Sequence, residues 1–304
     1  MININNANEF IPHFGEENFT DIYTNKNNRV FAISDSTFEN YENYCKLFEE
    51  NGFVKREYRS HGSFHFTAFE GENTGIFAIF YGNIKEINIT IENESKYFTY
   101  SDILGDKKVS SQITQVKLED YGMSYVIRLS DGRFIVIDGG RNYEPHVDNL
   151  FKCLKESSQD EKPVIASWIL THPDSDHYHC FIAFCEKYEG EFILQKAMFN
   201  FPEPDAYHLY HDLAKVGYWG CDTERLPHMY EVLKKTGAEV YTPHTGQIYE
   251  IGNASFEFLN CIGDVVHHTY WKNKNELCLV AHMEIEGQTV LWMADSSCKY
   301  SRLY

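Results

Sequence analysis

The chain contains the segment Val164-Ile165-Ala166-Ser167-Trp168-Ile169-Leu170, which runs directly into Thr171-His172-Pro173-Asp174-Ser175-Asp176-His177. The first segment is mostly apolar and short, which is typical of a strand buried on both faces. The second places two imidazoles and two carboxylates within residues 172–177. Loops that follow buried strands are common positions for binding and catalytic side chains. We therefore expect this junction to determine both the fold and the chemistry of the protein.

The residue types in this loop predict a metal site. Side chains two residues apart point to the same side of an extended segment, so His172, Asp174 and Asp176 share one direction. Together with His177 they offer imidazole and carboxylate donors, which suit Zn²⁺, Mn²⁺ or Fe. The alternative is a solvated acidic loop with incidental histidines, and the apolar strand directly before it disfavours that interpretation. We expect a divalent metal cofactor, as one or two ions.

Composition limits the partners. The 304 residues include 45 acidic and 27 basic side chains, a net charge of −18. This charge argues against long DNA or RNA, because such binding depends on Lys and Arg neutralising phosphates, and against an anionic membrane surface. No apolar run reaches the roughly 18 residues of a membrane span, and the N-terminus has no signal-peptide pattern. The scattered cysteines, without a C-x-x-C pair, predict a cytoplasmic protein with reduced thiols.

The first hundred residues predict a small α+β domain. Ser36 and Glu39 have the spacing of a capping box at the start of a helix, and Gly52 stands where that helix would end. A polar stretch over residues 101–115 predicts the boundary between domains 1–112 and 113–304. Strands are expected in the first domain at Val30–Ile33, around Phe64 and Phe66, at Ile76–Tyr81 and at Ile87–Ile91.

The second domain has a different order of predicted strands and helices. Strand pairs and helices alternate first, and hairpins follow, which predicts mixed sheets covered by helices. One strand ends in Asp138-Gly139-Gly140. Helices are expected at 145–155, after His177 and at 223–235, and strands at 124–129, 133–138, 164–170, 192–199, 239–242, 255–259, 277–285 and 289–294.

These elements resemble the metallo-β-lactamase fold superfamily. Its signature, His-x-His-x-Asp-His after a strand, is matched by residues 172–177, with Asp174 where the second histidine usually stands. This aspartate variant is similar to the hydrolase-like domain of ComEC/Rec2 competence proteins. The hairpin 124–140 resembles the opening strands of the family, and Thr289-Val290-Leu291-Trp292-Met293-Ala294-Asp295 resembles the strand that carries the bridging aspartate. The resemblance covers residues 116–304 and implies an α+β fold, an αββα sandwich preceded by the small N-terminal domain.

The resemblance also implies roles for individual residues. One metal would take His172 and Asp174, with Asn275 as a further candidate. The other metal would take Asp176 and His177. Asp176 is also expected to act in catalysis.

Three further positions complete this implied site. Asp295 would bridge both ions, and Asp138 resembles a residue that supports catalysis by orienting the ligands. His267 and His268 are alternatives to Asn275, because the family's third histidine is missing before strand 277–285. The family's last histidine, beyond the bridging aspartate, is also missing from the sequence. His179 either lines the site or lies in the first turn of the following helix.

The resemblance therefore predicts a metal-dependent hydrolase that acts on a small phosphodiester through a metal-activated water. The alternatives are hydrolysis of a carboxylic ester, thioester or lactam, and a catalytically degenerate member that binds a metal or ligand. The expected partner is a small-molecule substrate, because the charge disfavours long nucleic acids. The sequence gives no indication of the oligomeric state.

Overall fold

The computed structural model describes residues 19–24, 28–93, 104–106, 108–201, 223–265, 275 and 278–296. These residues divide into two compact units. Residues up to 93 form the first unit together with the short segment His244–Gln247, and the other described residues form the second. None of the described helices combines the length and the apolarity that a bilayer crossing requires.

The described residues of the first unit form one helix and a six-stranded antiparallel sheet in the order β1-β2-β6-β5-β4-β3. The central strand β5 is buried at every position, which explains its continuously apolar sequence. The elements are β1 (Phe19–Thr24), β2 (Asn28–Ile33), α1 (Phe38–Glu50), β3 (Val54–His61), β4 (Phe64–Glu70), β5 (Thr74–Tyr81) and β6 (Glu86–Asn93).

Helix α1 packs its apolar side against this sheet. It buries Tyr41, Tyr44 and Phe48, which join the core formed by residues of β2, β4, β5 and β6. Each fully buried aromatic side chain contributes roughly 1.5–3 kcal/mol of apolar transfer free energy. The helix is therefore held by its packing rather than by intrinsic propensity.

The start of α1 differs from the sequence prediction by one residue. The capping residue is Thr37, whose hydroxyl accepts from the backbone N–H of Asn40 at 3.2 Å, while the Asn40 side chain accepts from the Thr37 N–H at 2.8 Å. The predicted box of Ser36 and Glu39 is wrong. Ser36 is buried and donates its hydroxyl to the carbonyl of Ile33, so it closes the preceding turn instead.

The second unit contains a mixed seven-stranded sheet in the order β13-β12-β10-β9-β8-β7, with β11 also paired to β10. Strand β10 runs parallel to β9, β11 and β12, whereas β8 is antiparallel to β7 and β9. Its strands are β7 (Gln112–Gln115), β8 (Ser124–Arg128), β9 (Phe134–Asp138), β10 (Val164–Ile169), β11 (Ile193–Leu194), β12 (Lys196–Met198) and β13 (Glu239–Tyr241).

Helices accompany this sheet, and a second sheet completes the unit. Strands β14 to β17 form a four-stranded antiparallel sheet in chain order. Within the part of the chain that the structure describes, the helices are α2 (Glu144–Ser157), α3 (Ser175–Lys187), α4 (Leu226–Thr236, preceded by a 3₁₀ turn at Thr223–Arg225) and α5 (Ile262–Val265). The strands of the second sheet are β14 (Ile248–Ile251), β15 (Ala254–Asn260), β16 (Val280–Ile285) and β17 (Gln288–Trp292).

The two sheets of this unit contact each other. The rings of Tyr125 on β8 and Trp292 on β17 meet edge to face at 5.0 Å. The Leu279 N–H, just before β16, donates to the carbonyl of Thr171 at 2.9 Å. Helices α2 and α3 pack against β8 and β9. The predicted α+β class and sandwich arrangement are confirmed.

Several elements differ in detail from the prediction. The strand expected over 192–199 is two short strands, β11 and β12, and the edge strands β1, β3 and β7 were not predicted. Strand β3 reads Val54-Lys55-Arg56-Glu57-Tyr58-Arg59-Ser60-His61 and is mostly exposed. An edge strand of this kind carries little apolar alternation, so the sequence pattern does not reveal it.

The capping correction can be tested by mutation. Thr37→Ala should lower the free energy of unfolding by about 1 kcal/mol, because it leaves a first-turn N–H without its acceptor. Glu39→Gln, a matched change at the exposed position of the predicted box, should cost at most a few tenths of a kcal/mol. Urea unfolding of both variants gives the comparison, and a larger loss for Glu39→Gln would contradict the cap seen here.

Candidate metal centre

The fold brings the loop 171–177 to one edge of the seven-stranded sheet. Asp138 is the last residue of β9, and Thr171 follows the neighbouring parallel strand β10. The carboxyl ends of parallel strands lie at the same edge of a sheet, where ligands bind in open α/β sheets. Helix α3 then starts at Ser175, so Asp176 and His177 lie in its first turn.

Asp138 is completely buried, and its carboxylate accepts three hydrogen bonds. The donors are the Thr171 N–H at 2.8 Å, the Thr171 hydroxyl at 2.7 Å and Nδ1 of His177 at 2.8 Å. Its backbone carbonyl accepts from Nε1 of the buried Trp168 at 2.9 Å. Asp138 has a φ of +52°, a left-handed conformation that costs free energy for residues other than glycine, although aspartate adopts it more readily than most. This hydrogen-bond set compensates for the cost.

The contact with Asp138 fixes the protonation of His177. Since Nδ1 donates to the carboxylate, the lone pair of the neutral ring is on Nε2. That nitrogen faces Oδ1 of Asp295 at 3.3 Å. Burial lowers the pKa of His177, but the charges and hydrogen bonds of Asp138 and Asp295 outweigh it and raise the pKa to about 10. In the metal-free protein a proton therefore occupies the position between His177 and Asp295.

His172 is oriented by the same carboxylate through Thr171. The Thr171 hydroxyl donates to Asp138, so its lone pair accepts from Nδ1 of His172 at 3.0 Å. This arrangement leaves the lone pair of the His172 ring on Nε2. The Nε2 atom is buried and makes no hydrogen bond. A buried polar atom without a partner costs free energy, and a metal ion is a partner that suits it.

His172, His177 and Asp295 together form a set that could hold a metal ion. One ligand atom from each lies within 4.8 Å of the other two. The two imidazole rings are 4.0 Å apart between centroids. Two imidazoles and one carboxylate are a donor set of zinc, manganese and iron sites. The residues present therefore fit a divalent metal ion.

Asp174 and Asp176 lie next to this set, each beside a different imidazole. Oδ2 of Asp174 is 3.6 Å from Nε2 of His172, and Oδ2 of Asp176 is 3.8 Å from Nε2 of His177. Neither carboxylate belongs to the three-residue group. Their distribution matches the pairing expected for two ions, and their assignment as ligands stays a prediction.

Asp295 follows β17 and carries a side chain that is 39% exposed. The hydrogen bond from His177 is the main reason why the pKa of Asp295 is lowered. Nδ2 of Asn275 donates to its other oxygen, Oδ2, at 3.2 Å. Asn275 therefore contacts the centre through Asp295.

The remaining sequence candidates are less directly placed. His179 is buried in α3 against the ring of Tyr178, and it is not in the three-residue group. His267 and His268 lie outside the described residues. Thr171 is not among the predicted site residues, although a hydroxyl residue directly before the first histidine is a visible signal in the sequence.

The proton on His177 predicts how metal affinity depends on pH. A metal must displace this proton, so the affinity should rise about tenfold per pH unit between pH 7 and 9, with release of about one proton per ion at pH 7. In the metal-free protein the opposite trend is expected for stability. The pKa of about 10 in the folded state exceeds the unfolded value near 6.5, so this stabilisation is complete below pH 6.5 and is lost as the pH rises through 10.

Zinc titration calorimetry in two buffers of different ionisation enthalpy measures the proton release. The control is His228→Gln, which removes an exposed histidine that pairs with Glu186 away from this group. This variant should show the same proton release and the same pH dependence as the wild type. An affinity that is equal at pH 7 and pH 9 would contradict the assigned protonation.

The role of Asp138 predicts a large effect of a small substitution. Asp138→Asn replaces one of the two acceptor oxygens by an N–H donor, so the side chain can no longer accept from both Thr171 and His177 as the carboxylate does. Metal affinity should therefore fall about 10- to 100-fold. Asp148→Asn, a change of the same size in an ion pair with Lys187, should leave it unchanged. Competition with a chromophoric chelator measures both, and equal affinities would show that Asp138 does not orient the ligands.

Two solved structures are reported as similar to this chain. The metallo-beta-lactamase fold protein YhfI from Bacillus subtilis is similar at 17% identity and a TM-score of 0.36, over 61% of this chain and 63% of that one. A variant of a flavo di-iron protein from Thermotoga maritima is similar at 11% identity and a TM-score of 0.33, over 79% and 42%. The chain thus spans less than two thirds of either protein. No protein-family model and no curated protein matches the chain.

Proposed function

We propose that this protein is a metal-dependent hydrolase that acts on a small phosphodiester. The observation that carries the proposal is the buried Nε2 of His172, which has no hydrogen-bond partner and lies with His177 and Asp295 in one group of potential ligands. A structural histidine in a core would be expected to satisfy both ring nitrogens. Here the second nitrogen is kept available.

The ligand set supports a metal of the zinc, manganese or iron type. His172, His177 and Asp295 would hold the first ion. With two ions, Asp174 would join His172, Asp176 would join His177, and Asp295 would be shared. A bound divalent metal lowers the pKa of a water molecule towards 7 and polarises the phosphoryl oxygen of a substrate.

The protein's own residues supply orientation and proton transfer. Asp138 and Thr171 hold both imidazoles with the N–H on Nδ1, so that Nε2 of each ring is the atom offered to a metal. On His177 the metal would take the place of the proton shared with Asp295. The two histidines are 1% exposed, whereas the side chain of Asp176 is 20% exposed. We assign to Asp176 the acceptance of a proton from the attacking water, because it is the more exposed carboxylate of the loop and lies beside His177.

The choice of substrate rests on charge and on the sequence resemblance. The net charge of −18 repels long polyanions, while a small anion can be attracted locally by a metal. The aspartate at position 174 adds a hard oxygen donor, which favours manganese or iron relative to an all-histidine zinc site. Hydrolysis of carboxylic esters, thioesters or lactams is the competing activity.

Activity assays with defined metals test this proposal. The metal-loaded protein should hydrolyse bis(p-nitrophenyl) phosphate with Mn²⁺ or Zn²⁺, and chelation should stop the reaction. Asp176→Asn should lower the rate at least 10-fold, by removing a carboxylate beside the metal. Asp148→Asn serves as the control for a loss of one charge and should retain the wild-type rate.

Two outcomes would contradict the proposal. Metal-dependent turnover of a thioester or lactam without turnover of phosphodiesters would assign the competing activity. Tight binding of metal without any turnover would indicate a metal-binding protein that is not a hydrolase.

A further inference from the structure

An arginine and a tyrosine lie together on two loops next to the metal centre. The loops are 116–123, before β8, and 139–143, after β9. The guanidinium carbon of Arg141 is 4.7 Å from the centre of the Tyr121 ring, within the distance of a cation–π contact. Nη1 of Arg141 donates to Oδ2 of Asp120 at 3.2 Å. The Tyr121 side chain is 62% exposed, so the face of its ring opposite Arg141 is open to solvent.

The first loop is fixed against the helix that carries Asp176. Gly122 has a φ of +138°, and a Cβ there would lie 2.5 Å from the carbonyl oxygen of Asp176. The N–H of Met123 donates to the same carbonyl at 3.3 Å. Only glycine permits this approach. Tyr121 therefore directly precedes Gly122 and Met123, the two residues whose backbone contacts the carbonyl of Asp176.

The second loop is fixed to the same helix and to the first loop. The carbonyl of Gly140 accepts from the N–H of Cys180 in α3 at 3.0 Å. The buried ring of His146 lies between the loops, with Nδ1 3.2 Å from the Arg141 N–H and Nε2 3.1 Å from the Glu119 N–H. Burial lowers the pKa of His146, and a neutral ring accepts from one of these N–H groups at a time. The arginine–tyrosine pair thus has a defined position without a ligand.

This pair has the chemistry that the metal centre lacks. The carboxylates of Asp174, Asp176 and Asp295 repel an anionic substrate before it reaches the metal. The guanidinium of Arg141 has five N–H donors, and Asp120 takes one of them, so others are free to donate to a phosphate oxygen. An open aromatic face next to this cation stacks readily with a planar ring.

We infer that Tyr121 and Arg141 form the substrate-binding edge of the metal centre and select anionic substrates with an aromatic group next to the phosphorus. The inference rests on the proposed function and adds a substrate class to it. Arg141 contacts the phosphate oxygens, and Tyr121 stacks on the aromatic group. Because both side chains are already in place, little conformational entropy is lost when the substrate binds.

Binding of two phosphonates that cannot be hydrolysed tests this inference. Calorimetry on the manganese-loaded protein should show that phenylphosphonate binds at least about 5-fold more tightly than methylphosphonate, the lower end of the effect of one stacked ring. Tyr121→Ala should abolish this preference, and Tyr121→Phe should keep it. Arg141→Gln should weaken both ligands about 10-fold, through loss of a charged hydrogen bond.

Tyr58→Ala is the matched control. Tyr58 is also an exposed tyrosine under a cation, with Nζ of Lys55 4.9 Å from its ring, but it belongs to the first unit. This variant should keep the wild-type preference. Metal content and melting temperature of Tyr121→Ala, both expected to be unchanged, separate loss of stacking from loss of folding.

The possible failures are distinguishable. If wild type and Tyr121→Ala bind both phosphonates with the same ratio, the inference is wrong and the proposed function stands. If neither phosphonate binds while the metal-loaded protein still hydrolyses bis(p-nitrophenyl) phosphate, only this inference fails. If the protein shows neither binding nor turnover, the proposed function and this inference both fail.

Discussion

The buried carboxylate of Asp138 is the interaction on which the candidate metal centre depends. An ionised carboxylate without access to water is costly unless it is hydrogen-bonded, and this one accepts from Thr171 twice and from His177 once. The two side-chain donors connect Asp138 to the imidazoles, directly for His177 and through the Thr171 hydroxyl for His172. One residue thus fixes Nδ1 as the inner, hydrogen-bonded nitrogen of both rings, and Nε2 of each ring is left for the group that includes Asp295.

The position of Asp138 follows from the sheet. Strands β9 and β10 are parallel neighbours, so the end of one and the loop after the other meet at the same edge. The left-handed φ of Asp138 turns the chain sharply into Gly139 and Gly140. This sharp turn keeps the Asp138 carboxylate next to Thr171. The Trp168 indole, which packs against Phe181 and Phe184 of α3, donates a hydrogen bond to the Asp138 carbonyl. Strain at this turn is offset by packing and by hydrogen bonds that only the folded sheet provides.

Much of this centre could be predicted from the sequence, because four of its residues are contiguous in 172–177 and a buried strand precedes them. The contacts between segments that are distant in the chain could not be predicted from the sequence. The role of Thr171 depends on the register of β9 against β10, and the pairing of Arg141 with Tyr121 depends on two loops that contact α3 separately. The capping error at Ser36 arises because two adjacent hydroxyl residues could fill one role. The hydrogen bonds of Ser36 to the carbonyls of Ile33 and Lys85 leave the capping position to Thr37. Edge strands such as β3 are not predicted because their mostly exposed sequences lack an alternation of apolar and polar residues.

The contact between Leu279 and Thr171 joins segments that are more than a hundred residues apart in the chain. Asp295 is similarly distant from the two histidines, so the centre cannot assemble until both sheets of the second unit have docked. Contacts of such long sequence separation form slowly and late in folding. A bound ion would then stabilise only the completely folded protein. At an ion concentration 100 times the dissociation constant, it would raise the free energy of unfolding by about 2.7 kcal/mol. In a cell with scarce metal, the abundance of this protein would follow the supply of the ion, since the incompletely docked chain is the species that proteases degrade.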